Sequence, residues 1–382
     1  MRIGILTNTY PPNLNGVSIA VQNLQEGLEA KGHQVFIATP QVQGVEYREN
    51  IIPVRAIATK KKISPDLYIP VLYIQKVVDF FKKNGVQVIH THDIFMGGAE
   101  GIVIANKLGV PCIHTFHTFN ESYPYLQVPA RQRIIRAHIR LVCGGYDHIT
   151  APSLKVYKYL AQIGFKTPVT QLLNVPSTKN LKKKKFDTKL AKKFGISDKD
   201  FVFTTFCRVA TEKSVDIGMI VLHRLIKKYP NIKYMICGQG PEIENLKLLS
   251  THLDIGDKVI FTEKYLPKEL SSLASLAKVF LFTSHTENLP TNLFEAMVLG
   301  LPVLSVDDES VDYLLKQGEN GYKGSVDELS LLAEELYHDS KKLAKLSKAA
   351  ETEGKEFQKK DVISEYIQLY ERVIKYHLEG NR

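Results

Sequence analysis

Two runs of alternating strand-like and helix-like segments constrain the fold of this chain more than any other feature of its sequence. The first run opens with an apolar segment at 3–8, a loop rich in Pro, Asn and Gly at 10–16, and a helix-like segment at 17–30. The pattern breaks near 172–181 and then restarts. Strands that alternate with helices favour a parallel sheet covered by helices on both faces. The sequence therefore predicts an α/β fold with two doubly wound, Rossmann-like domains.

The domain boundaries follow from that break and from the chain length. A chain of 382 residues is long enough for two domains. We predict an amino-terminal domain at 1–172 and a carboxy-terminal domain at 173–361, facing each other across a cleft where open α/β sheets bind ligands. The final segment, 362–382, carries apolar and aromatic residues on one helical face, so it must pack against a domain.

Charge and cysteine usage narrow the class of protein. Residues 1–172 hold 18 Lys and Arg against 10 Asp and Glu, a balance of +8, which leaves +2 of the total net charge of +10 for the remainder. A one-sided basic domain suits a polyanion, either nucleic acid or an anionic membrane surface. The four cysteines are far apart in apolar contexts and are predicted to be reduced core thiols. We expect neither a signal peptide nor a membrane-spanning segment.

The segment Thr286–Met297 is the strongest chemical feature, because it follows a predicted strand and opens a predicted helix. Pro290 fits the start of that helix, whose free N–H groups would form a site for a diphosphate. Glu287 in the loop and Glu295 in the helix are placed to accept hydrogen bonds from sugar hydroxyls. An acidic residue near a helix start also favours the helix dipole without any ligand, and for Glu295 alone that interpretation stays open.

Two further loops supply candidate phosphate ligands. Arg208 and Lys213 follow a predicted strand at 201–207 and would provide two cations for a leaving diphosphate. A solvated loop that carries two basic residues is the alternative. Gly16, after the first predicted strand, would let the backbone approach a phosphate closely. The chain has no G-x-G-x-x-G motif, which argues against a nicotinamide-dependent dehydrogenase.

Histidines cluster at two predicted strand ends in the amino-terminal half, at 90–93 and 114–118. The carboxyl ends of parallel strands face the expected cleft, so some of these side chains should reach it. His90, His92 and Asp93 could ligate a metal ion. No cysteine or further carboxylate completes that ligand set, and we predict no metal site.

Taken together, these segments resemble the retaining GT-B glycosyltransferases of family GT4 over nearly the whole chain. The resemblance is carried by the Met1–Ile5 strand with its Asn15-Gly16 loop, the Arg208-x4-Lys213 pair, the Cys237–Pro241 turn and the Glu287-x7-Glu295 spacing. It implies that Glu287 contacts the donor sugar and that Glu295 contacts the ribose. It also implies that the terminal helix crosses back to the amino-terminal domain.

The resemblance assigns roles to individual residues. His117 and Glu287 would be catalytic, with His117 beside the transferred sugar. Retention is implied, with the diphosphate oxygen taking the acceptor proton, so that no carboxylate acts as a base. The implied donor site consists of Gly16, Arg208, Lys213, Gly238, Glu287, Asn288, Leu289, Pro290, Thr291 and Glu295.

The acceptor side is predicted from a basic amphipathic helix at 130–142. Such a helix, preceded by aromatic residues, can lie on an anionic membrane. A solvated basic face on an ordinary helix is the alternative. Within the family, this arrangement looks most like that of bacterial 1,2-diacylglycerol 3-alpha-hexosyltransferases. The predicted membrane and acceptor residues are Tyr123, Tyr125, Arg131, Arg133, Arg136 and Arg140.

The resulting hypothesis is an enzyme that moves a hexose from a UDP-sugar onto 1,2-diacylglycerol, with UDP-galactose slightly favoured over UDP-glucose. We expect a cytoplasmic protein that is peripheral on the inner face of the cell membrane. No cofactor is expected, and stimulation by a divalent cation is left open. The expected partners are the donor, a lipid acceptor and an anionic membrane surface, and the oligomeric state is not predicted.

Two alternatives stay open. One is a family GT4 transferase that builds cell-wall or capsule polysaccharide on a soluble or polyprenyl acceptor. The other is a non-enzymatic protein that binds nucleic acid through its basic half, although the sequence contains no recognised nucleic-acid motif.

Overall fold

A computed structural model describes residues 1–12, 15–58, 68–71, 73–92, 98–117, 129–174, 181–263, 265–285 and 287–380. The chain divides into two compact units, called unit 1 (Met1–Ser177 with Asp361–Arg382) and unit 2 (Thr178–Lys360).

The elements of unit 1 alternate between strand and helix, as the sequence predicts. Its strands are β1 (Arg2–Leu6), β2 (Gln34–Pro40), β3 (Ile51–Val54), β4 (Ala56–Ala58), β5 (Tyr68–Pro70), β6 (Val88–Thr91), β7 (Cys112–Thr115), β8 (His148–Ala151) and β9 (Val169–Gln171). Its first five helices are α1 (Gly16–Ala30), α2 (Ile74–Lys83), α3 (Gly98–Leu108), α4 (Pro129–Cys143) and α5 (Leu154–Ile163). Within the described ranges, seven strands form a parallel sheet in the order β3-β2-β1-β6-β7-β8-β9. The other two, β4 and β5, form an antiparallel pair.

Unit 2 repeats this plan on a second sheet. Its strands are β10 (Phe201–Phe206), β11 (Ile232–Cys237), β12 (Val259–Phe261), β13 (Val279–Phe282), β14 (Val303–Val306) and β15 (Gly321–Gly324). Its helices are α6 (Thr188–Lys193), α7 (Val215–Lys228), α8 (Ile243–His252), α9 (Leu270–Ala274), α10 (Thr291–Val298), α11 (Val326–His338) and α12 (Ser340–Lys359). The strand order is β12-β11-β10-β13-β14-β15, and all neighbours are parallel. The order reverses between β10 and β13, which is the position where doubly wound sheets bind ligands.

Helix α13 (Val362–Leu378) belongs to unit 1, although it follows unit 2 in the sequence. Its apolar face joins the core formed by β1, α1 and β7, and Tyr366 and Tyr370 are fully buried there. The Asp361 side chain caps the helix by accepting from the Ser364 N–H at 3.0 Å, and it also pairs with Lys31 of unit 1 at 2.5 Å. The predicted one-sided pattern of this segment therefore marks a docking face.

Two simpler expectations can be compared directly with the structure. The four cysteines are free thiols, and Cys112, Cys143 and Cys237 are buried. None of the helices in the described ranges combines the length and the apolar character needed to cross a membrane.

Helix α12 crosses α10 at close range, and a glycine makes this approach possible. A Cβ at Gly354 would lie 2.4 Å from the backbone nitrogen of Val298 and 2.7 Å from the carbonyl carbon of Met297. Beside this crossing, the rings of Phe294 and Phe357 meet edge to face with centroids 5.1 Å apart. Backbone atoms cannot move aside as a flexible side chain can, so a larger residue at 354 must separate the helices. This packing holds α10 against the sheet.

We predict that Gly354→Ala destabilises unit 2. Alanine favours a helix over glycine by about 1 kcal/mol, but overpacking costs roughly 1–3 kcal/mol and should dominate here. Thermal unfolding followed by circular dichroism should show a Tm lowered by several degrees, at roughly 2–4 °C per kcal/mol. Gly16→Ala is the matched control, because a Cβ there meets nothing within 4 Å. A Gly354→Ala variant as stable as the Gly16→Ala control would contradict the close crossing.

Candidate functional site

The candidate site lies at the strand-order reversal of unit 2, in the loops that follow β10 and β13. Arg208 lies two residues after β10, and Lys213 ends a 3-10 turn. Glu287 follows β13 and precedes α10. Because neighbouring parallel strands end at the same edge of a sheet, the two loops meet. The structure brings Lys213 and Glu287 into contact although 74 positions separate them in the sequence.

Two glycines let the turn after β11 pack against the loop that follows β10. Gly238 has φ of +140°, and a Cβ there would lie 1.9 Å from the Cys207 carbonyl oxygen. A Cβ at Gly240 would lie 1.8 Å from the Val209 carbonyl oxygen. The Val209 N–H donates to the Gln239 carbonyl at 2.8 Å, which joins the two segments. Gly238 therefore shapes the site through packing, and its predicted contact with the donor stays a prediction.

Lys213 and Glu287 form the central ion pair of the site. The Lys213 ammonium donates a hydrogen bond to the Glu287 carboxylate, and only 22% and 18% of these side chains are exposed. Ser284 Oγ donates to the same carboxylate at 3.3 Å. Burial lowers the pKa of Lys213, but the charge of Glu287 and the hydrogen bond to it outweigh burial, so the pKa is raised overall. Lys213 is therefore a cation at neutral pH, beside a carboxylate that can accept from a hydroxyl.

Arg208 occupies a more open position than Lys213. Its Nη2 donates to Glu212 Oε1 at 2.5 Å, and 53% of the side chain is exposed. A guanidinium has five N–H donors, so this bond leaves others for a phosphate oxygen. The Ser284 hydroxyl shares its one hydrogen between the Glu287 carboxylate and the Glu212 backbone carbonyl, 3.0 Å away, which ties this loop to the loop after β13. The sequence analysis missed Glu212, although it stands between the two predicted cations.

The amino terminus of α10 opens directly onto this site. The helix begins at Thr291, as predicted, and Pro290 at the N-cap position makes no side-chain capping bond. Asn292 Nδ2 donates to the Phe206 carbonyl at the end of β10 at 2.9 Å, which fixes the helix start against the strand. Leu289 is buried. Uncapped N–H groups at a helix start form an anion site, and the structure thus supplies one beside the Lys213–Glu287 pair.

Glu295 lies in α10 and is half-buried. Among the described residues, no side chain forms a hydrogen bond or an ion pair with the Glu295 carboxylate. Burial raises the pKa of Glu295 from 4.5 to about 7. Tyr265 follows β12 and lies near Glu295. Burial and the charge of Glu295 both raise the pKa of the Tyr265 phenol. The sequence analysis missed Tyr265, because it carries no motif and reaches the site only through the strand order.

Gly16 belongs to unit 1 and begins α1. Asn15 caps this helix, since its side chain accepts from the Ser18 N–H at 3.0 Å. A Cβ at Gly16 would meet nothing within 4 Å, so packing does not require a glycine there. The open space suits the predicted close approach of a ligand, and that role stays a prediction.

The predicted histidine cluster forms a buried network in unit 1. His92 Nδ1 and His117 Nε2 share a hydrogen bond of 2.8 Å, and their rings are stacked. His90 bonds Tyr370 of α13 at 2.8 Å and Thr115 at 2.7 Å. Burial lowers the pKa of His117 to about 4 and, together with the charge of His117, lowers the pKa of His90 to about 3. Both rings are therefore neutral at physiological pH and can act as hydrogen-bonding groups.

The hydrogen bonds of this histidine network bear on whether His90 could ligate a metal ion. Both ring nitrogens of His90 are engaged by protein hydroxyls, which leaves no lone pair for a metal ion. Asp93 lies outside the described residues. In the part of the chain that the structure describes, no group of three or more His, Cys, Asp or Glu side chains is placed to hold a metal ion.

Helix α4 carries the predicted acceptor-side arginines, and its exposed face also holds an apolar stripe. Ile134 and Leu141 are 70% and 79% exposed, and Ala130 and Ala137 complete the stripe at helical spacing. The opposite face is buried in the core of unit 1 through Ile135, Ile139, Val142 and Cys143.

The predicted acceptor residues differ in their surroundings. Arg131, Arg133 and Arg136 are exposed beside the apolar stripe. Arg140 Nε and Nη2 donate to the Ile163 carbonyl at the end of α5, at 3.0 and 2.6 Å, so this guanidinium is largely committed to the fold. Tyr123 and Tyr125 lie outside the described residues.

Comparison with known proteins places the chain in a family. Residues 186–353 match the family described as Glycosyl transferases group 1, and residues 14–174 match Glycosyltransferase Family 4. An alpha-monoglucosyldiacylglycerol synthase of Acholeplasma laidlawii is 28% identical over 379 residues, which cover 94% of this chain and 94% of that protein. A synthase of the same name from Streptococcus pneumoniae is 27% identical over 352 residues, covering 88% and 78%.

Solved structures share the fold over the whole length. Sucrose-phosphate synthase from Thermosynechococcus elongatus matches with a TM-score of 0.76 at 18% identity, over 98% of this chain and 99% of that one. Anabaena Alr3699/HepE in complex with UDP-glucose matches with a TM-score of 0.73 at 15% identity, over 100% of both chains. The predicted GT-B fold is confirmed, and the chain, which carries a Glycosyltransferase Family 4 domain followed by a Glycosyl transferases group 1 domain, is a hexosyltransferase.

Proposed function

We propose that this protein transfers a hexose from a UDP-sugar to 1,2-diacylglycerol, with retention, at the inner surface of a cell membrane. The Lys213–Glu287 pair beside the uncapped start of α10 is the observation that carries the donor half of this proposal. The names of the two alpha-monoglucosyldiacylglycerol synthases support diacylglycerol as the acceptor. These names favour glucose as the hexose, whereas the sequence resemblance favoured galactose.

The donor would be held in unit 2 by groups of opposite character. Arg208, Lys213 and the first N–H groups of α10 offer positive charge to a diphosphate, which becomes more negative as the sugar leaves. Glu287 would accept from a hydroxyl of the sugar, and Glu295, which has no partner among the described side chains, would accept from the ribose. A UDP-glucose complex of a protein that shares this fold supports a uridine diphosphate donor.

Retention fits a site whose carboxylates are occupied with binding. Glu287 is held by Lys213 and Ser284, which suits positioning of the sugar better than free proton transfer. The departing diphosphate oxygen would take the proton of the acceptor hydroxyl, so the paired-carboxylate scheme of glycoside hydrolases is not needed. His117, neutral at pH 7, is assigned by the resemblance to a hydrogen bond with the transferred sugar.

The acceptor half of the proposal rests on α4. An interfacial helix inserts apolar side chains into the membrane boundary while basic residues beside them meet anionic headgroups. Ile134 and Leu141 would insert, and Arg131, Arg133 and Arg136 would flank them. A basic face that is merely solvated would not need two exposed large apolar residues in line.

A product assay tests the whole proposal. The protein is incubated with UDP-glucose or UDP-galactose and with vesicles that contain diacylglycerol, and the product and its anomeric configuration are determined by NMR. We expect an α-hexosyl-diacylglycerol. Transfer only to soluble or polyprenyl-linked sugars would favour a polysaccharide transferase, and an inverted product would contradict retention.

Replacement of the sugar-binding carboxylate gives a sharper prediction. Glu287→Gln should lower kcat/KM by about 100-fold or more, the scale at which the loss of one preorganised polar contact lowers enzyme rates. Glu335→Gln is the matched control, because Glu335 pairs with Lys342 at 2.7 Å on the surface of the same unit. Circular dichroism checks that both variants fold. Near-normal activity of Glu287→Gln would contradict the site assignment.

The raised pKa of Glu295 predicts a pH dependence of donor binding. A ribose hydroxyl donates to the ionised carboxylate, so UDP-hexose affinity should rise with pH up to about 7 and then level off. UDP-hexose is a suitable probe because its diphosphate diester does not titrate in this range. The Glu295→Gln variant should bind more weakly above pH 7 and show no such rise in isothermal titration calorimetry.

The raised pKa of Glu295 also predicts how the stability of the folded protein changes with pH. The folded state binds the Glu295 proton more tightly than the unfolded state, so ionisation between pH 4.5 and about 7 destabilises the wild-type protein. Above this window, the ligand-free Glu295→Gln variant should be the more stable protein, by at most on the order of 3 kcal/mol. If the difference in Tm between the wild-type protein and Glu295→Gln stays the same from pH 4.5 to about 7, the raised pKa of Glu295 is contradicted.

Membrane binding through α4 is tested by the apolar stripe alone. Ile134→Ser with Leu141→Ser should weaken binding to anionic vesicles by at least about 100-fold, since each buried side chain contributes roughly 1.5–3 kcal/mol. Leu248→Ser with Leu331→Ser is the matched control, because these leucines are 61% and 69% exposed on helices of unit 2. Sedimentation with vesicles measures both pairs. Equal losses in the two pairs would rule out α4 as the docking element.

A further inference from the structure

Unit 2 contains a cavity of about 330 Å³ that the transfer reaction does not use. The lining residue Lys278 directly precedes β13 and Leu301 lies two residues before β14, whereas the candidate donor residues follow strands of the same sheet. The cavity therefore opens at the amino-terminal edge of the sheet. The four residues of β13 alone separate the two edges by about 13 Å, at about 3.3 Å per residue.

The walls of the cavity combine an apolar floor with a cationic rim. The floor includes Leu299, Leu301 and Leu343, and the exposed Ala344 also lines the cavity. The rim consists of Lys183, Lys184 and Lys278. This combination suits an anion with an apolar part, and the volume is at the lower end of the range for small-molecule sites, about 300–1,000 Å³.

The charges of the rim are only partly compensated. Lys183 Nζ donates to Ser347 Oγ at 3.3 Å and pairs with Glu351 at 3.2 Å. Lys184 Nζ donates to Ser272 Oγ at 2.9 Å. Across the described ranges, no carboxylate pairs with Lys184 or Lys278. Two ammonium groups that line one cavity thus have no carboxylate partner among the described residues.

We infer that this cavity binds a phosphate ester, with the phosphate at Lys184 and Lys278 and its organic part on the leucine floor. Lysine ammonium groups bind phosphate as point charges. Two of the four lining serines already donate, since Ser275 Oγ bonds the Ser272 carbonyl and Ser347 Oγ bonds the Gly300 carbonyl, so the lysines carry the positive charge that recognises the phosphate. The ester could come from a soluble organic phosphate or from the headgroup of an anionic lipid.

Calorimetric titration with phenyl phosphate and sedimentation with phosphatidylglycerol vesicles distinguish these sources. The vesicle arm uses the Ile134→Ser, Leu141→Ser background, so that docking through α4 does not mask the cavity. We expect Lys184→Gln with Lys278→Gln to weaken binding of at least one probe by about tenfold or more, as loss of two charge-assisted contacts should. Binding of phenyl phosphate indicates a soluble ligand, and binding of vesicles alone indicates a lipid headgroup.

Two controls separate a site from a basic surface. Lys341→Gln with Lys345→Gln removes the same charge from exposed positions of the adjoining α12 that do not line the cavity, and it should leave binding nearly unchanged. Ala344→Phe fills the cavity without changing charge and should abolish binding while circular dichroism shows an intact fold. Equal losses in the two lysine pairs, undiminished binding by Ala344→Phe, or no binding of either probe would overturn the inference.

Discussion

The parallel arrangement of the unit 2 sheet is the constraint on which the donor site depends. Because every strand runs in the same direction, each connection must return along a face of the sheet, and all loops after strands collect at one edge. The reversal of strand order between β10 and β13 then leaves a gap between helices on opposite faces. Lys213 and Glu287 meet at this gap for topological reasons, and the glycine turn at 238–240 and the crossing at Gly354 hold the flanking segments in place.

Several groups of the candidate site lie in surroundings that cost stability while no ligand is bound. Glu295 is half-buried without a partner among the described side chains. Its pKa is raised to about 7, because burial disfavours the ionised carboxylate. Lys213 and Glu287 offset each other, so removal of either would leave the other partly buried without this counter-charge. The start of α10, which no N-cap side chain satisfies, adds backbone N–H groups at the same place. These features are costly in isolation and together suit the diphosphate sugar of the proposed function.

Much of the fold could be predicted from the sequence, and the reasons for the omissions are physical. The start of α10 was predictable because Pro290 precedes an apolar run, and β10 and β13 because they are buried on both faces and read as continuous apolar segments. The strand β15 (Gly321–Gly324) was missed because its glycines and lysine resemble a loop, and pairing with β14 alone makes it a strand. Glu212 and Tyr265 were missed because no local pattern encodes a contact that strand order creates. The roles of the predicted donor residues stay predictions, although the structure brings several of them together.

The arginine spacing of α4 predicts only part of what its exposed face contains. The arginine spacing predicted a basic face, but Arg140 is largely used to bond the Ile163 carbonyl, and the apolar stripe between the arginines is what distinguishes a membrane-seeking helix from a solvated one. Burial of Ile134 and Leu141 would contribute roughly 3–6 kcal/mol. Three arginines near an anionic surface would add about 1 kcal/mol each, before the cost of association is subtracted. The remainder is small enough for reversible binding, which suits the proposed transfer from a water-soluble donor to a lipid acceptor.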